Sequence, residues 1–155
     1  MTDIFKISEE FARIEYAKHD NQHQWSHVQE VMNIALKLAE SYPQTDLEIL
    51  KLAVIFHDVN YESYETHVEN SIEVAKNFFN QQKYPEDRTK HVLEAMLSHS
   101  GPHRRKLGDT NLIEGKILYD ADKFRAATTQ EGFEKYGPRF YLDETRNLLL
   151  KIVPQ

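Results

Sequence analysis

Apolar residues recur along most of the chain at intervals of three and four, which is the spacing of one face of an α-helix. One such stripe consists of Val28, Val31, Met32, Ala35, Leu38, Ala39 and Tyr42. The pattern Ser26-His27-Val28-Gln29 resembles a capping box, and Pro43 follows the stripe, so we predict a helix between Ser26 and Pro43. No segment alternates with the period of two that marks a half-buried strand. The pattern therefore predicts an all-α protein.

Two more helices are predicted in the first half of the chain. Thr45-Asp46-Leu47-Glu48 has the capping-box pattern again, and a stripe of Leu47, Leu50, Val54 and His57 follows it. Inward-facing apolar residues at helical spacing then predict a helix over about 66–81.

The second half of the chain has helical segments on both sides of a predicted loop. Pro85 stands where the first residue of a helix would be, and the apolar stripe of that helix ends at His99. Residues 100–111 contain glycine, proline and a basic run, and we predict a loop there. Asn111 resembles the cap of a helix that runs through Asp122.

The predicted helices are expected to form one domain. Gly137-Pro138 separates a last helix that ends near Val153. We expect about six to eight helices, packed as a single-domain bundle over 1–155. Its core would span about 19–125, and the C-terminal helices in 126–155 would pack on that core.

Composition narrows the classes of function. There are 155 residues with no cysteine, so a metal ion would have to be bound by histidine and carboxylate side chains. The formal net charge of −6 argues against a protein that binds duplex nucleic acid. The longest apolar run, Leu52 to Phe56, is far too short to cross a membrane, and the N-terminus is acidic where a signal peptide would be basic. We expect a cytoplasmic protein with no membrane partner, and a homodimer is compatible with the sequence.

The segment LKLAVIFHDVNY carries the strongest chemical signal, because an apolar helical stretch ends there in His57-Asp58. Burial of an imidazole beside a carboxylate is costly unless the two groups are paired or bind a metal. The dipeptide alone is compatible with a simple hydrogen bond at a helix end. His27 on an earlier helix and the segment YDADK, which contains Asp120 and Asp122, add the further ligands that a bundle can bring together from facing helices.

Residues 19–125 resemble the HD superfamily of metal-dependent phosphohydrolases, which is named for its His…His-Asp…Asp pattern. The resemblance is carried by DNQHQWSHVQEVMNIA, LAVIFHDVNY and ILYDADKF. YESYETHVENSIEVA is similar to a subgroup of small predicted phosphohydrolases. The resemblance implies an all-α HD-type fold and a divalent metal ion bound by His27, His57, Asp58 and Asp122. The family's usual alanine-aspartate pairing favours Asp122 over Asp120.

The resemblance also implies a function. We expect hydrolysis of a small phosphate ester by a metal-activated water, with Asp58 in the catalytic role of orienting the water or accepting its proton. A nucleotide is among the candidate substrates, although family members that hydrolyse nucleotides commonly have a glutamate where this chain has Tyr61, with Glu62 one place later. The imidazole and carboxylate set suits Mn, Fe, Co, Zn or Ni ions better than Mg.

The sequence is compatible with two other functions. A minority of the HD superfamily activates oxygen with two irons, which would require His67 and His99 as ligands of a second metal. A non-catalytic domain that binds a metal or a phosphorylated metabolite is the third reading.

Several further residues are candidates for contact with substrate. These are His99, Arg104, Arg105, Lys123 and Glu62. Arginine offers a planar fork that matches phosphate oxygens, although a basic run is more often a solvated loop. His23 is expected at the surface, with orientation of His27 as the alternative role, and the remaining histidines are also expected at the surface: His19, His91 and His103.

Overall fold

The computed structural model describes residues 3–19 and 24–153, which form nine α-helices and two 3₁₀ turns and contain no strand. The helices are α1 (Ile4–Tyr16), α2 (Trp25–Ala39), α3 (Leu47–Phe56), α4 (His67–Gln81), α5 (Glu86–Ser98), α6 (Gly101–Leu107), α7 (Ile113–Phe124), α8 (Gln130–Tyr136) and α9 (Asp143–Leu150). The 3₁₀ turns are Arg125–Ala127 and Gly137–Arg139. The prediction of an all-α protein is confirmed, and the number of helices in these residues is slightly above the six to eight expected.

Helix α3 forms the centre of the molecule. It is apolar on every side, and all its residues from Ile49 to Phe56 are buried except Lys51, which is partly exposed. A helix without a polar face has to be surrounded, and α3 packs against α1, α2, α4, α5 and α7. Within the described residues, no helix is long and apolar enough to cross a bilayer.

Two predicted helix starts are displaced, that of α2 by two residues and that of α3 by one. Helix α2 begins at Trp25, so Ser26 lies inside the helix and is not its cap. Helix α3 is capped by Asp46, whose carboxylate accepts a hydrogen bond from the backbone N–H of Ile49 at 3.1 Å. Thr45, the predicted cap, does not have that role, and its hydroxyl donates to the carbonyl of Tyr42.

The predicted loop over 100–111 is wrong, because residues 101–107 form helix α6. The hydroxyl of Ser100 accepts a hydrogen bond from the backbone N–H of His103 at 3.3 Å and caps this helix. Pro102 lies in the first turn, where no intrahelical N–H is required, and Gly108 ends the helix with φ of +88°.

The remaining boundaries agree with prediction to within a few residues. Helix α4 follows Thr66, as predicted, whereas Pro85 is the residue before α5 and not its first residue. Helix α7 follows Leu112 and makes no side-chain cap, so Asn111 does not have the predicted role. The last helix ends at Leu150.

The C-terminal helices are tied to α7 by a buried carboxylate. Asp120 accepts hydrogen bonds from the backbone N–H groups of Tyr141 at 2.9 Å and Leu142 at 3.0 Å, and from the hydroxyl of Thr145 at 2.5 Å. These bonds satisfy donors at the start of α9. A small apolar cluster closes the same junction: Phe124, Ala127, Phe140, Leu149 and Val153.

Candidate metal centre

Four predicted ligands from three helices meet at one point. His27 lies in the first turn of α2, His57 and Asp58 directly follow α3, and Asp122 is near the end of α7. One ligand atom from each lies within 4.8 Å of the others. We call these residues the first set.

The distances in the first set suit a shared ligand. His27 Nε2 is 3.2 Å from Asp122 Oδ1 and 3.8 Å from Asp58 Oδ2. His57 Nε2 is 3.4 Å from Asp58 Oδ2 and 3.3 Å from Asp122 Oδ1. Two imidazole nitrogens and two carboxylate oxygens therefore point toward a common centre.

A second group of three residues lies beside the first and shares Asp58 with it. Asp58, His67 and His99 also place one ligand atom each within 4.8 Å of the others, and we call them the second set. His99 Nε2 is 3.3 Å and His67 Nε2 is 3.7 Å from Asp58 Oδ1. Asp58 thus turns Oδ2 toward the first set and Oδ1 toward the second, which is the arrangement of a bridging carboxylate.

Three histidines are oriented by the helix ends on which they lie. The Nδ1–H of His57 donates to the carbonyl of Val54 at 2.6 Å, and that of His99 donates to the carbonyl of Met96 at 2.5 Å. His67 Nδ1 lies 2.7 Å from the carbonyl of Tyr64. In the neutral ring, a proton on Nδ1 leaves the lone pair on Nε2, which is the atom that faces Asp58 in each case.

Tyr16 of helix α1 fixes the backbone at Asp58 through two hydrogen bonds. The hydroxyl of Tyr16 donates to the carbonyl of Ile55 at 2.9 Å and accepts from the backbone N–H of Asp58 at 3.2 Å. Tyr16 is fully buried, so this contact fixes the turn that follows α3.

Buried polar atoms in both sets lack a conventional partner. His57 Nε2, Asp58 Oδ1 and His99 Nε2 are buried and make no hydrogen bond with any described residue. Leaving such atoms unsatisfied costs about 1–3 kcal/mol each. A cation between them would satisfy all three, so the residues present fit a divalent metal ion with nitrogen and oxygen ligands.

The electrostatics of the first set favour positive charge. Burial lowers the pKa of His57, but the carboxylates of Asp58 and Asp122 outweigh it and raise the pKa to about 10. Burial likewise raises the pKa of Asp58, yet His57 and His99 bring it well below its usual value. The site therefore holds negative carboxylates and attracts a cation.

The two candidate aspartates of YDADK have different environments. Asp122 belongs to the first set, and its Oδ2 accepts from Lys123 Nζ at 2.9 Å. Asp120 is fully buried and makes the hydrogen bonds that tie down α9. The geometry therefore places Asp122, and not Asp120, among the grouped ligand atoms.

A cavity of about 670 Å³ opens over both sets. It is lined by the candidate ligands His27, Asp58, His67, His99 and Asp122, by the basic residues Arg104, Arg105, Lys123 and Arg139, and by the aromatic residues Tyr61, Tyr64, Tyr119 and Tyr136, among others. This combination of acidic floor and basic wall could hold an anionic ligand over a metal.

The basic residues differ in what they can offer such a ligand. Arg104 donates to Asp109 at 2.8 Å and to the carbonyl of Arg139 at 2.6 Å, and it stacks on Tyr141 at 3.9 Å. These contacts make it a structural link between α6 and the turn at 137–139. Arg105 and Arg139 are exposed at the cavity wall, and neither side chain donates a hydrogen bond to any of the described residues.

Other predicted positions have a different outcome. Glu62 is exposed and does not line the cavity, because the turn after Asp58 directs Tyr61 into it instead. His23 lies outside the described residues.

The three histidines expected at the surface all have partners. His19 Nε2 is 2.9 Å from the carbonyl of Val59, and His91 Nε2 is 2.7 Å from Glu114. His103 Nε2 is 2.9 Å from Glu69. Each pairing joins separate parts of the chain, which explains why local sequence context did not reveal it.

Sequence reasoning missed the tyrosines of the cavity wall, and it missed Tyr16 and Ser100. Tyr16 acts through a contact to α3, 42 residues away from Asp58 in sequence. The pattern Ser100-Gly-Pro-His103 does contain a usable signal, since serine followed by proline within two residues is a typical helix start.

Comparison with known proteins agrees with this geometry. The HD domain profile matches residues 25–127, which is more than half of the chain. A solved structure described as a predicted HD superfamily hydrolase, from an uncultured Thermotogales bacterium, is 22% identical with a TM-score of 0.72. The match covers 95% of this chain and 83% of that chain, which shows a common fold. No curated protein matches. From the extent of the profile match, the chain belongs to the HD domain family.

Proposed function

We propose that this protein is a metal-dependent phosphohydrolase that acts on a small phosphate ester. The observation that carries the proposal is the pair of ligand sets sharing Asp58 on the floor of a cavity with basic walls. The name of the Thermotogales protein, a predicted hydrolase, is consistent with it.

The residues of the first set would bind one divalent ion, and those of the second set could bind another. When bound, such an ion polarises a phosphoryl oxygen and lowers the pKa of a coordinated water from about 15.7 towards 7. Asp58, which belongs to both sets, would orient the attacking water or accept its proton.

The basic residues would bind the phosphate group. Lys123 Nζ is held by Asp122 Oδ2 at 2.9 Å and by the carbonyl of His99 at 2.5 Å, so it lies beside both sets. Its charge would offset the charge that develops on phosphorus oxygens. Arg105 and Arg139, at the outer wall, are suited to contacts with a more distant anionic part of the substrate.

Metal content and turnover together test this proposal. The purified protein is analysed for bound metal and then assayed with phosphate monoesters and diesters in the presence of Mn, Fe, Co, Ni or Zn ions. We expect hydrolysis with at least one ion, complete loss of bound metal in Asp58→Ala, and loss of only the second ion in His99→Gln. His91→Gln, which changes a histidine outside the cavity, serves as the control and keeps both.

A di-iron oxygenase is a second candidate because His67 and His99 do lie with Asp58 in one group. Oxygen consumption in the iron-loaded protein, without hydrolysis of any ester, would favour that reading. Stoichiometric binding of inorganic phosphate without turnover of any ester would instead favour a non-catalytic metabolite-binding domain.

A further inference from the structure

Three polar side chains form a continuous chain of hydrogen bonds at the edge of the cavity. Ser100 Oγ is 2.7 Å from His103 Nδ1, and His103 Nε2 is 2.9 Å from Glu69 Oε1. Ser100 and His103 lie at the start of α6, and Glu69 lies on α4. The chain therefore connects two helices through Glu69 and His103, which are 34 positions apart in the sequence.

Ser100 is the member that faces the cavity. It is 5% exposed and lines the same cavity as Asp58 and Lys123. Its hydroxyl oxygen also accepts the backbone N–H of His103 at 3.3 Å. When His103 is protonated, Nδ1–H occupies the second lone pair of that oxygen, and the hydroxyl proton is then available for donation to another acceptor.

Glu69 sets the orientation of the imidazole. Its carboxylate accepts from Nε2–H, which leaves Nδ1 to exchange a proton with Ser100. A hydroxyl, an imidazole and an orienting carboxylate within hydrogen-bond reach form the arrangement by which proteins activate a hydroxyl group. The side chain of His103 is 23% exposed and borders a second, smaller cavity of about 230 Å³, so solvent can return a proton to it.

We propose that Ser100, His103 and Glu69 form a proton relay that protonates the leaving group of the phosphate ester. The relay rests on the proposed phosphohydrolase function. Ser100 is its catalytic residue, because it would touch the substrate, whereas His103 and Glu69 act through Ser100.

The relay delivers a proton to the leaving oxygen as the ester bond breaks. The bond between phosphorus and the leaving oxygen breaks, and its electron pair stays on that oxygen. The oxygen takes the hydroxyl proton of Ser100, Ser100 takes the Nδ1 proton of protonated His103, and neutral His103 regains a proton from solvent. The oxygen of the attacking water remains on phosphorus, and that water's own proton goes to Asp58 or to solvent.

A purely structural role for Ser100 has to be separated from the relay, because Ser100 also caps α6. Removing a cap lowers the stability of the protein by the same amount whatever the substrate is. A proton donor has a different signature. It matters greatly when the leaving oxygen is strongly basic and little when the leaving oxygen is a stable anion.

The test therefore compares two phosphate esters in the metal-loaded, full-length protein. One has a 4-nitrophenyl leaving group, which departs readily as an anion, and the other has a simple alkyl leaving group. His103→Gln keeps a hydrogen-bonding side chain and the cap but cannot carry the proton. We expect it to lower kcat by on the order of 10²-fold or more for the alkyl ester, and by only a few-fold for the nitrophenyl ester.

Further variants make the test specific. Ser100→Thr keeps both the cap and a hydroxyl and should recover most of the activity that Ser100→Ala loses on the alkyl ester. His91→Gln removes another histidine that pairs with a glutamate, 2.7 Å from Glu114 and outside the cavity, and should leave the ratio of the two rates unchanged.

The outcomes separate the relay from the function on which it rests. Equal losses on both esters in His103→Gln overturn the relay and leave the phosphohydrolase standing. Failure of the unmodified protein to hydrolyse any phosphate ester overturns both. A readout without turnover is the ¹⁵N spectrum of His103 in its neutral form, where the relay requires the proton on Nε2, and a proton on Nδ1 would overturn it.

Discussion

The charge on His57 depends on whether a cation or a proton faces its Nε2 atom. In the metal-free protein, the pKa of His57 is about 10, so its ring is positively charged throughout the neutral range. A metal ion can bind Nε2 only after that proton has left. Proton and metal therefore compete well above neutrality, whereas an unperturbed histidine would compete only below a pH of about 6.5.

This competition predicts how metal affinity changes with pH. Folding raises the pKa of His57, so the metal has to displace a proton from it. Metal affinity should therefore increase by up to about tenfold for each unit by which the pH rises between about 6 and 8.5. Calorimetric titration with Zn or Mn ions in two buffers of different ionisation enthalpy measures the protons released. We expect about one proton or more to be released when the first metal ion binds at pH 7.5. Binding without proton release at this pH would contradict the raised pKa.

The two aspartates of YDADK should separate metal binding from folding. Asp120→Ala removes an acceptor from buried donors at the start of α9, so it should lower the free energy of unfolding by about 2–4 kcal/mol and leave metal content unchanged. Asp122→Ala should lose the metal of the first set. Denaturant unfolding and metal analysis of the two variants provide the comparison, and loss of metal in Asp120→Ala despite a folded protein would show that the ligands are assigned incorrectly.

Individual residues differ in how well sequence could predict them. His57 and Asp58 stand out because a polar pair ends an apolar helix, and the pattern shared with the HD family added His27 and Asp122. The division of Asp58 between two sets could not be predicted, since it depends on the direction of a single carboxylate relative to four other helices, α2, α4, α5 and α7.

At the scale of elements, helices with a strong apolar stripe were predictable and their ends were less so. A helix start depends on which neighbouring side chain reaches the free N–H groups, and several serine, threonine or aspartate residues often compete for that role. Helix α6 was missed because glycine, proline and basic residues are typical of loops, yet proline is well tolerated in the first turn of a helix.

The contact between α5 and α7 allows a sharp test of packing. A Cβ atom at Gly115 on α7 would lie 2.5 Å from Ser98 Oγ and 2.7 Å from Ser98 Cβ on α5. Gly115→Ala should therefore destabilise the protein by about 1–3 kcal/mol, because these helices cannot separate without disturbing both ligand sets.

A double-mutant cycle identifies the cause. Ser98→Gly removes the two atoms that the new methyl group would approach most closely and leaves only Thr110 Cγ2, at 3.3 Å, so Gly115→Ala should cost much less when it is introduced into that variant. Urea denaturation measures the free energy of unfolding of the unmodified protein, the two single variants and the double variant. Equal costs in the two backgrounds would mean that the close approach to Ser98 is not what requires glycine.

At the scale of the whole molecule, the two ligand sets join most of the helices in the bundle. Their residues come from α2, α4 and α7 and from the turns that follow α3 and α5. Parts of the chain that are distant in sequence would thus be linked through one small volume. A bound metal is therefore expected to stabilise the entire fold, and not only its own surroundings.

Chelation should reveal this linkage. At a metal concentration 100 times its dissociation constant, the folded state gains about 2.7 kcal/mol, which a chelator would remove and which should appear as a lower melting temperature. Asp58→Ala, which disrupts both sets, should melt at the same temperature with and without the chelator. An unmodified protein whose melting temperature does not respond to metal or chelator would argue against a metal bound in these sets.

The carbonyl acceptors of the three oriented histidines affect which substitutions the metal centre can tolerate. His57, His67 and His99 are directed by backbone oxygens three residues earlier, and every amino acid provides such an oxygen. Side chains at those accepting positions can therefore vary to suit local packing, while the imidazoles keep their direction. Insertion or deletion of one residue next to a histidine would be far more damaging, because it changes where the helix ends. In such a site, the length of each segment is under tighter constraint than its composition.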